Sequence, residues 1–524
     1  MINNEYKPLL FTTTVRNPSR FKYYLKILSL FEGKILTNEL ATCIFGEIIR
    51  HGLYRPKNKT PSISEKWQDT PQGYLATTLL SDAEVKWLLE NNQQSHKEAT
   101  YDKGWPSRFA TSFAWAKQLG FANIEIGEII KISQIGKVLL STFSQSNPLQ
   151  ASYFEIVNPQ CETAAFLHAM VKYHRDNPFL RVKNANVPLV LLLRVIKLLN
   201  ADPKNAGISR KELPLIICWK DDNAQAVYEA IMNIRMKYGF SPSDEVICDF
   251  CYEELLGKNF KKFQLASLMN EYPDEFIRKM RLTGLFSIRG AGRFLDIDSR
   301  CEKIVDYVLS NYSEYKSYSD CEEYYKYVSA PDPVLLATKE IVTKDKHSEQ
   351  LLEKWAQNYR WDVIKKELML LSGRKSSVDP ILRILEKPLR LEFLAAIAIK
   401  KRRSAYRIVP NYKCDDEGIP TSTASGNKGD IECYGKNNVL VEVTMANGRT
   451  QTVMEAWPVM RHLEEFSSNY ADASCAFVAP SIYPDTQDQI DWQSQRKSLK
   501  ATTFTIKQFI DELDIDKIEF GVFG

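Results

Sequence analysis

Two acids stand where an acid is costly to place. Asp430 opens the segment DIECYG, and Glu442 lies inside VLVEVT, between Val441 and Val443. Alternation in the first segment, a turn at Lys436 to Asn438 and the apolar second segment read as two antiparallel strands joined by a tight hairpin. The acids are twelve residues apart, a spacing that lets the hairpin return Glu442 to the level of Asp430. A carboxylate among valines is expensive to bury unless something positive neutralises it. Magnesium suits the position, because it prefers hard oxygen ligands, usually takes one or two carboxylates and keeps several waters. The backbone carbonyl of Val443 is a reasonable extra ligand. An ion held there activates water and offsets charge on a scissile phosphate, so the expected chemistry is phosphodiester hydrolysis.

Two further acids flank this pair in sequence. Glu392 falls on an otherwise apolar face of RILEKPLRLEFLAAIAIKKRR, a helix expected from about Pro388, where it needs a partner or a metal. Glu455 sits near the first turn of the helix QTVMEAWPVMRHLEEF; alternatively its charge only favours a helix N-terminus, worth well under ~1 kcal/mol at a surface. The basic run Lys400 to Arg403, with Lys428 and Arg449 near the hairpin, either meets a phosphate backbone or is a solvated face. CAFVAPSI and TTFTI read as further strands and IKQFIDELD as a closing helix, while LLEKWAQNYRWDVIKKELMLLSGR opens the unit with helix and NYKCDDEGIPTSTASGNKG reads as a loop.

That order is the core layout of PD-(D/E)XK nucleases, and DIECYGKNNVLVEVT resembles their signature, with Thr444 at the lysine position. Together with Glu392, Glu455 and the opening TTTVRNPSRF, the chain resembles the AlwI family of type IIS restriction endonucleases over most of its length. That family includes site-specific nicking enzymes and large subunits of heterodimeric enzymes. The resemblance implies a prokaryotic, cytoplasmic enzyme whose N-terminal region reads a short asymmetric sequence in double-stranded DNA. A C-terminal domain then cuts a few base pairs away. Position by position, Asp430 and Glu442 match the metal-binding pair of a one- or two-ion magnesium centre, and Glu392 and Glu455 match its accessory acids. Thr444 cannot position water or hold charge as a lysine would, which leaves Glu455 as the candidate for activating water. One centre cuts one strand, so cutting both needs a second copy or a small partner subunit; nicking needs neither.

The elements that must position this chemistry follow from length and patterning. At roughly 150 residues per domain, a chain of 524 residues holds about three or four units. Its 44% hydrophobic and 26% charged residues belong to the ordinary folded range. The longest apolar stretch, VPLVLLLRVIKLLN, is interrupted by Arg194 and Lys197 and reads as a buried helix, so no membrane partner is expected. The start of the sequence lacks a secretory signal pattern. Among ten cysteines only Cys248 and Cys251 form a CxxC pair, without a second ligand pair, and reduced thiols are expected. A net charge of +4 means that DNA binding must come from local clusters.

The expected fold class is multidomain α+β. A mainly helical recognition region, residues 1–298, holds two winged-helix-like units divided near residue 150; a connector follows over 299–352, and an α/β cleavage domain with a mixed sheet over 353–524. In FTTTVRNPSR, Arg16, Asn17 and Arg20 open a helix where guanidinium groups and helix-start amides can meet phosphates, or else are solvated. Pro106 suits the start and Gly120 the end of the helix in GWPSRFATSFAWAKQLGF, which carries Arg108 and Lys117 as further candidate DNA contacts. Ser81 suits a cap before SDAEVKWLLENN. A short hairpin is expected in ANIEIGEIIKISQIGKVLL, with its run ending at Gly136. A second helix-then-hairpin copy ends in LTGLFSIRGAGRFLDID, where Arg289 and Arg293 flank the turn. The tyrosine-rich stretch SNYSEYKSYSDCEEYYKYVSAPDP reads as the connector. Two rivals stay open: a non-catalytic DNA-binding regulator with a degenerate nuclease domain, and a nuclease acting on RNA or branched DNA.

Overall fold

The computed structural model describes residues 17–67, 75, 78–148, 151–180, 184–202, 207–337, 344–424 and 428–515. Its chain forms two compact units, Met1–Ser287 with Leu295–Ile341, and Ile288–Phe294 with Val342–Gly524. Residues expected as a connector are therefore divided between them at Ile341 and Val342.

Capping chemistry sets the helix starts of the first unit. Thr37 accepts from the Leu40 amide at the head of Asn38–Arg50, and Ser81 and Glu84 form a reciprocal capping box at the head of Asp82–Asn91. Pro106 lies in the first turn of Trp105–Gln118, and Gly120 takes a φ of +72° just past its end. The strand pair after this helix is shorter than its β-branched pattern suggests. Ala122–Asn123 pairs antiparallel with Lys131–Ile132, and Ile129 bridges Ile35. Ser133 then ends the strand by accepting from the Gly136 amide at 3.0 Å, which starts the helix Gln134–Leu140. Gly136 thus belongs to a helix, not to a hairpin end.

The later half of the first unit repeats the scheme. The apolar helix Pro188–Asn200 is buried over most of its length and precedes the strand Ile208–Ser209. Helices Leu213–Cys218, Ala224–Tyr238 and Asp244–Phe250 follow, then Tyr272–Leu282 and the strands Phe286–Arg289 and Phe294–Ile297. In the three-stranded sheet the order is Ile208–Ser209, Phe294–Ile297, Phe286–Arg289. Tyr318, Tyr324 and Val328 from the tyrosine-rich stretch pack with Phe179 and Tyr327, so this stretch is core of the first unit and not an open tether.

In the second unit, helices α1 (Lys344–Asn358), α2 (Trp361–Ser372) and α3 (Lys387–Arg402) precede strands β1 (Arg407–Pro410), β2 (Ile431–Tyr434) and β3 (Val439–Val443). Then come α4 (Arg449–Met454), α5 (Ala456–Asn469), β4 (Ser474–Ala479), α6 (Pro484–Lys497), β5 (Lys500–Thr505) and α7 (Ile506–Asp514). They build a mixed five-stranded sheet in the order β5-β4-β3-β2-β1. Strands β3, β4 and β5 run parallel, whereas β2 is antiparallel to both β3 and β1. Strand alternation divides the core: Val439 and Val441 face the cluster containing Leu391, Ala395 and Phe509, while Leu440 joins Val459, Leu463 and Ile490 on the other face. Interior β4 is buried throughout and apolar after Ser474, as a parallel strand covered on both faces tends to be.

Inside the expected loop 411–429 a short pairing of Lys413–Cys414 with Pro420–Ser422 appears. The hairpin tip Ile288–Phe294 lies against the same segment: Asp416 accepts from the Ile288 amide at 2.6 Å and Asp415 from the Ala291 amide at 2.8 Å. Among the described residues, no helix is long and apolar enough to cross a membrane.

Candidate active site

The hairpin β2–β3 places the first two acids. Its register pairs Val441 with Ile431, which sets Glu442 level with Asp430. Asp430 Oδ2 accepts from the Val443 amide at 2.8 Å, so the backbone of Val443 is locked against the Asp430 carboxylate. Glu442 shares its face of β3 with Leu440 and is only 5% exposed. There it meets His462 of α5, whose Nδ1 lies 2.9 Å from Glu442 Oε1. Gly429 allows this crowding, because a Cβ there would lie 2.4 Å from Leu440 Cδ1 and 2.8 Å from Glu442 Oε1.

The other two acids come from separate helices. Glu392 is buried on α3 and accepts from the Ala424 amide at 3.1 Å. Glu455 occupies the break between α4 and α5, where its Oε1 accepts from Thr444 Oγ1 at 2.8 Å. Thr444 itself is fixed from both sides, its amide donating to Val478 O at 3.0 Å and its hydroxyl accepting from the Ala446 amide at 3.0 Å. The residue at the expected lysine position is thus a spacer that orients Glu455.

Electrostatics show that these acids share one locale. Burial, then the charges of Glu442 and Glu392, push the Asp430 carboxyl well above the usual carboxylate range, against the Val443 hydrogen bond. Glu442 is raised by burial and opposed by its hydrogen bond to His462. Burial lifts Glu392 to about 7, with the Ala424 amide opposing and Glu442 reinforcing the rise. Close carboxylates of this kind are relieved by a proton or by a cation. Among the described residues no group of three or more His, Cys, Asp or Glu side chains is arranged as a ready metal cage. Two carboxylates are nevertheless as many as magnesium commonly takes from a protein.

His462 was not singled out in the sequence, although a signal was present. It falls on the same helical stripe as Val459, Leu463 and Phe466, all buried, where an imidazole needs a partner. The basic run at the end of α3 has internal duties instead of an open face. Lys400 lies 3.0 Å from Glu353, Lys401 donates to Ala356 O at 2.9 Å, and Arg402 and Arg403 donate to the carbonyls of Leu513 and Glu512 at 3.0 and 2.9 Å. Lys428 and Arg449 remain exposed.

The expected DNA contacts of the first region are placed as follows. Arg16 lies outside the described residues. Asn17 caps the short helix Pro18–Arg20 by accepting from the Ser19 amide at 3.1 Å, and Arg20 donates to Leu53 O. Arg108 stacks over the Tyr54 ring at 5.0 Å and donates to its hydroxyl at 3.2 Å. Lys117 pairs with Glu125 and lies over the Phe179 ring. Arg289 is 3.8 Å from Glu417, and Arg293, exposed, donates to Gly290 O at 3.0 Å.

Comparison with known proteins gives one family. The model described as AlwI restriction endonuclease matches residues 117–350 and 332–511. No curated protein matches the chain. Among solved structures, the small subunit of the heterodimeric restriction endonuclease R.BspD6I is 24% identical over 29% of this chain and 75% of its own, with a TM-score of 0.25. Restriction endonuclease FokI is 11% identical over 98% of this chain and 96% of its own, with a TM-score of 0.23. FokI bound to DNA gives 11% identity over 95% and 94%, with a TM-score of 0.22. These TM-scores are too low to assign a shared fold.

Proposed function

Since this chain belongs to the AlwI restriction endonuclease family, we propose that it is a type IIS enzyme: its N-terminal region binds a short asymmetric duplex sequence and its C-terminal unit hydrolyses the backbone a few base pairs outside it. The observation that carries this reading is the β2–β3 register, which sets buried Glu442 level with Asp430, where burial and neighbouring carboxylate charge raise the Asp430 carboxyl. The order α3, antiparallel β1 to β3, α5, parallel β4 and β5 supports a PD-(D/E)XK core. Two helix-and-sheet segments support winged-helix units: in the first an isolated bridge joins Ile129 to Ile35 beside the pair Ala122–Asn123 and Lys131–Ile132, and in the second Phe294–Ile297 pairs with the earlier strand Ile208–Ser209.

The donor set fits magnesium, with Asp430, Glu442 and the Val443 carbonyl as the residues that would hold one or two ions. Bound there, magnesium supplies a water of lowered pKa and offsets charge on the phosphate. The rest falls to this chain's own groups. His462 holds one oxygen of Glu442, which leaves the other to face the reaction. Thr444 aims Glu455, the candidate to take the proton of the attacking water. Glu392, protonated up to about pH 7, holds the Ala424 segment. Cutting both strands needs a second centre, from another copy or a smaller subunit, and nicking needs one.

Incubation of plasmid DNA with the protein and Mg²⁺ tests the proposal, with Glu442→Ala as control. Expected are cut or nicked plasmid with the native protein and, with the variant, a loss of at least 100-fold (about 2.7 kcal/mol in the barrier) while duplex binding persists. Absence of cleavage with every divalent metal would instead establish the DNA-binding regulator, and preference for RNA or branched DNA the other nuclease.

A further inference from the structure

A surface that reads DNA sequence needs exposed hydrogen-bonding side chains along one face of a helix. The helical run that ends in Tyr272–Leu282, immediately before the strand Phe286–Arg289, has the composition for it. One side is core, with Leu268, Met269, Phe276 and Met280 buried. The other side carries Asn270, Asp274 and Arg278, spaced by four residues and therefore aligned along the helix. These three line a cavity of about 350 Å³ together with Arg210, Glu271 and Glu275. A π turn, Ser267–Glu271, widens the helix where Asn270 emerges, a distortion that recurs at functional sites.

The chemistry of this face is selective. Arg278 Nε lies 2.9 Å from Asp274 Oδ2, and Arg210 reaches the other oxygen at 3.9 Å. The side chains are 53%, 42% and 43% exposed, so water screens these pairs and a ligand can exchange them at little cost. A surface evolved for phosphates alone would be cationic throughout, whereas Asp274 and Glu271 repel phosphate. Base edges want the mixture. A guanidinium fork suits guanine, a carboxamide suits adenine, and a carboxylate accepts from the cytosine amino group. Positive charge precedes the helix in sequence, at exposed Lys261 and Lys262 of the segment GKNFKKFQ; Lys262 lies 2.7 Å from Asp249, an exposed pair that water screens.

We propose that the Asn270, Asp274 and Arg278 face, with Arg210, reads base-pair edges in the major groove of duplex DNA, while Lys261 and Lys262 hold adjacent phosphates. The proposal rests on the endonuclease reading and adds the residues that set its specificity.

Mapping the ends made on a plasmid of known sequence first fixes the recognised site. Full-length Arg278→Ala and Asn270→Ala are then titrated, with Ca²⁺ in place of Mg²⁺, against that duplex, each of its single-base-pair substitutions and an unrelated duplex. Each variant is expected to bind the recognised duplex about 5- to 150-fold more weakly, to bind unrelated DNA as before, and to lose discrimination at one base pair. Lys262→Ala is expected to weaken every duplex alike and to lower the salt slope by about one. Unchanged specificity of both Arg278→Ala and Asn270→Ala, or an equal loss on all duplexes, overturns this assignment while native cleavage leaves the endonuclease reading standing. Native protein that cuts no DNA with any divalent metal overturns both.

Discussion

The Asp430 carboxylate accepts a hydrogen bond from the Val443 amide, while Glu442 and Glu392 press their charges on it. A site built this way is destabilising until a cation or a proton arrives, the usual trade of stability for function. Asp430→Asn keeps an acceptor for the Val443 amide and removes the charge. In thermal melts without divalent metal its midpoint is expected to rise, by roughly 2–4 °C for each kcal/mol relieved in a unit of this size. Added Mg²⁺ should stabilise the native protein and leave the variant unmoved, and cleavage should be lost. A variant that melts lower, or that responds to Mg²⁺ as the native chain does, removes Asp430 from the cation site. At this scale the sequence singles out Glu442 by its setting in a valine strand and Asp430 by its hairpin spacing from it. It did not disclose Thr444 as the support of Glu455, because that contact spans a loop whose path no local pattern encodes.

Elements begin and end where polar side chains capture the first free amides, and that rule explains both agreement and error along this chain. Ser81 is a cap of this kind that the sequence discloses, and Thr37 acts likewise at the head of Asn38–Arg50. Ser133 does the same job within a β-branched run, so a helix begins where alternation suggested continued strand. Gly136 then tolerates an approach that no side chain could, since a Cβ would stand 2.2 Å from Phe121 O. Gly136→Ala is accordingly expected to cost about 1–3 kcal/mol or more through forced backbone movement, measured as a lowered urea midpoint with unchanged slope. A midpoint equal to the native one would show that the contact relaxes freely. Strand β1 escaped notice for a different reason. RIVP is a four-residue edge strand, paired only with β2, too short to display alternation.

Across the whole molecule, buried histidines of the first unit and buried acids of the second respond to pH in opposite directions. His51, His168 and His174, all in the first unit, are lowered to about 4, chiefly by burial, with Arg50 and Lys172 adding to it for the first two. Between pH 6.5 and about 4 the unfolded chain binds protons at these sites that the folded chain does not, so stability falls as pH falls. The loss is on the order of 1–3 kcal/mol for each histidine. The second unit behaves in reverse. Glu392 is raised to about 7, with Asp430 and Glu442 raised too, so its folded form takes up protons first and gains stability as pH falls from about 7 towards 4.5. Hydrogen exchange at pH 7 and pH 5, corrected for intrinsic rates, is expected to show falling protection in Pro159–Lys172 and Pro188–Asn200 and maintained or rising protection in α3. The opposite order would contradict the burial of these groups.

Composition and spacing by themselves determined the α+β class, the main helices of both units, the β2–β3 hairpin and the acids it brings level, because each depends on local propensity and periodicity over a few residues. They also carried the resemblance that the family match supports. Only tertiary structure decided what those residues touch. It put His462 on Glu442 across twenty residues of chain, bound the basic end of α3 to the carbonyls of α7, drew the tyrosine-rich stretch into the core of the first unit and paired Arg289 with Glu417. Hydrogen bonds and ion pairs between residues distant in sequence are fixed by how layers pack, and a charged side chain looks the same in a sequence whether its partner is DNA, water or its own chain.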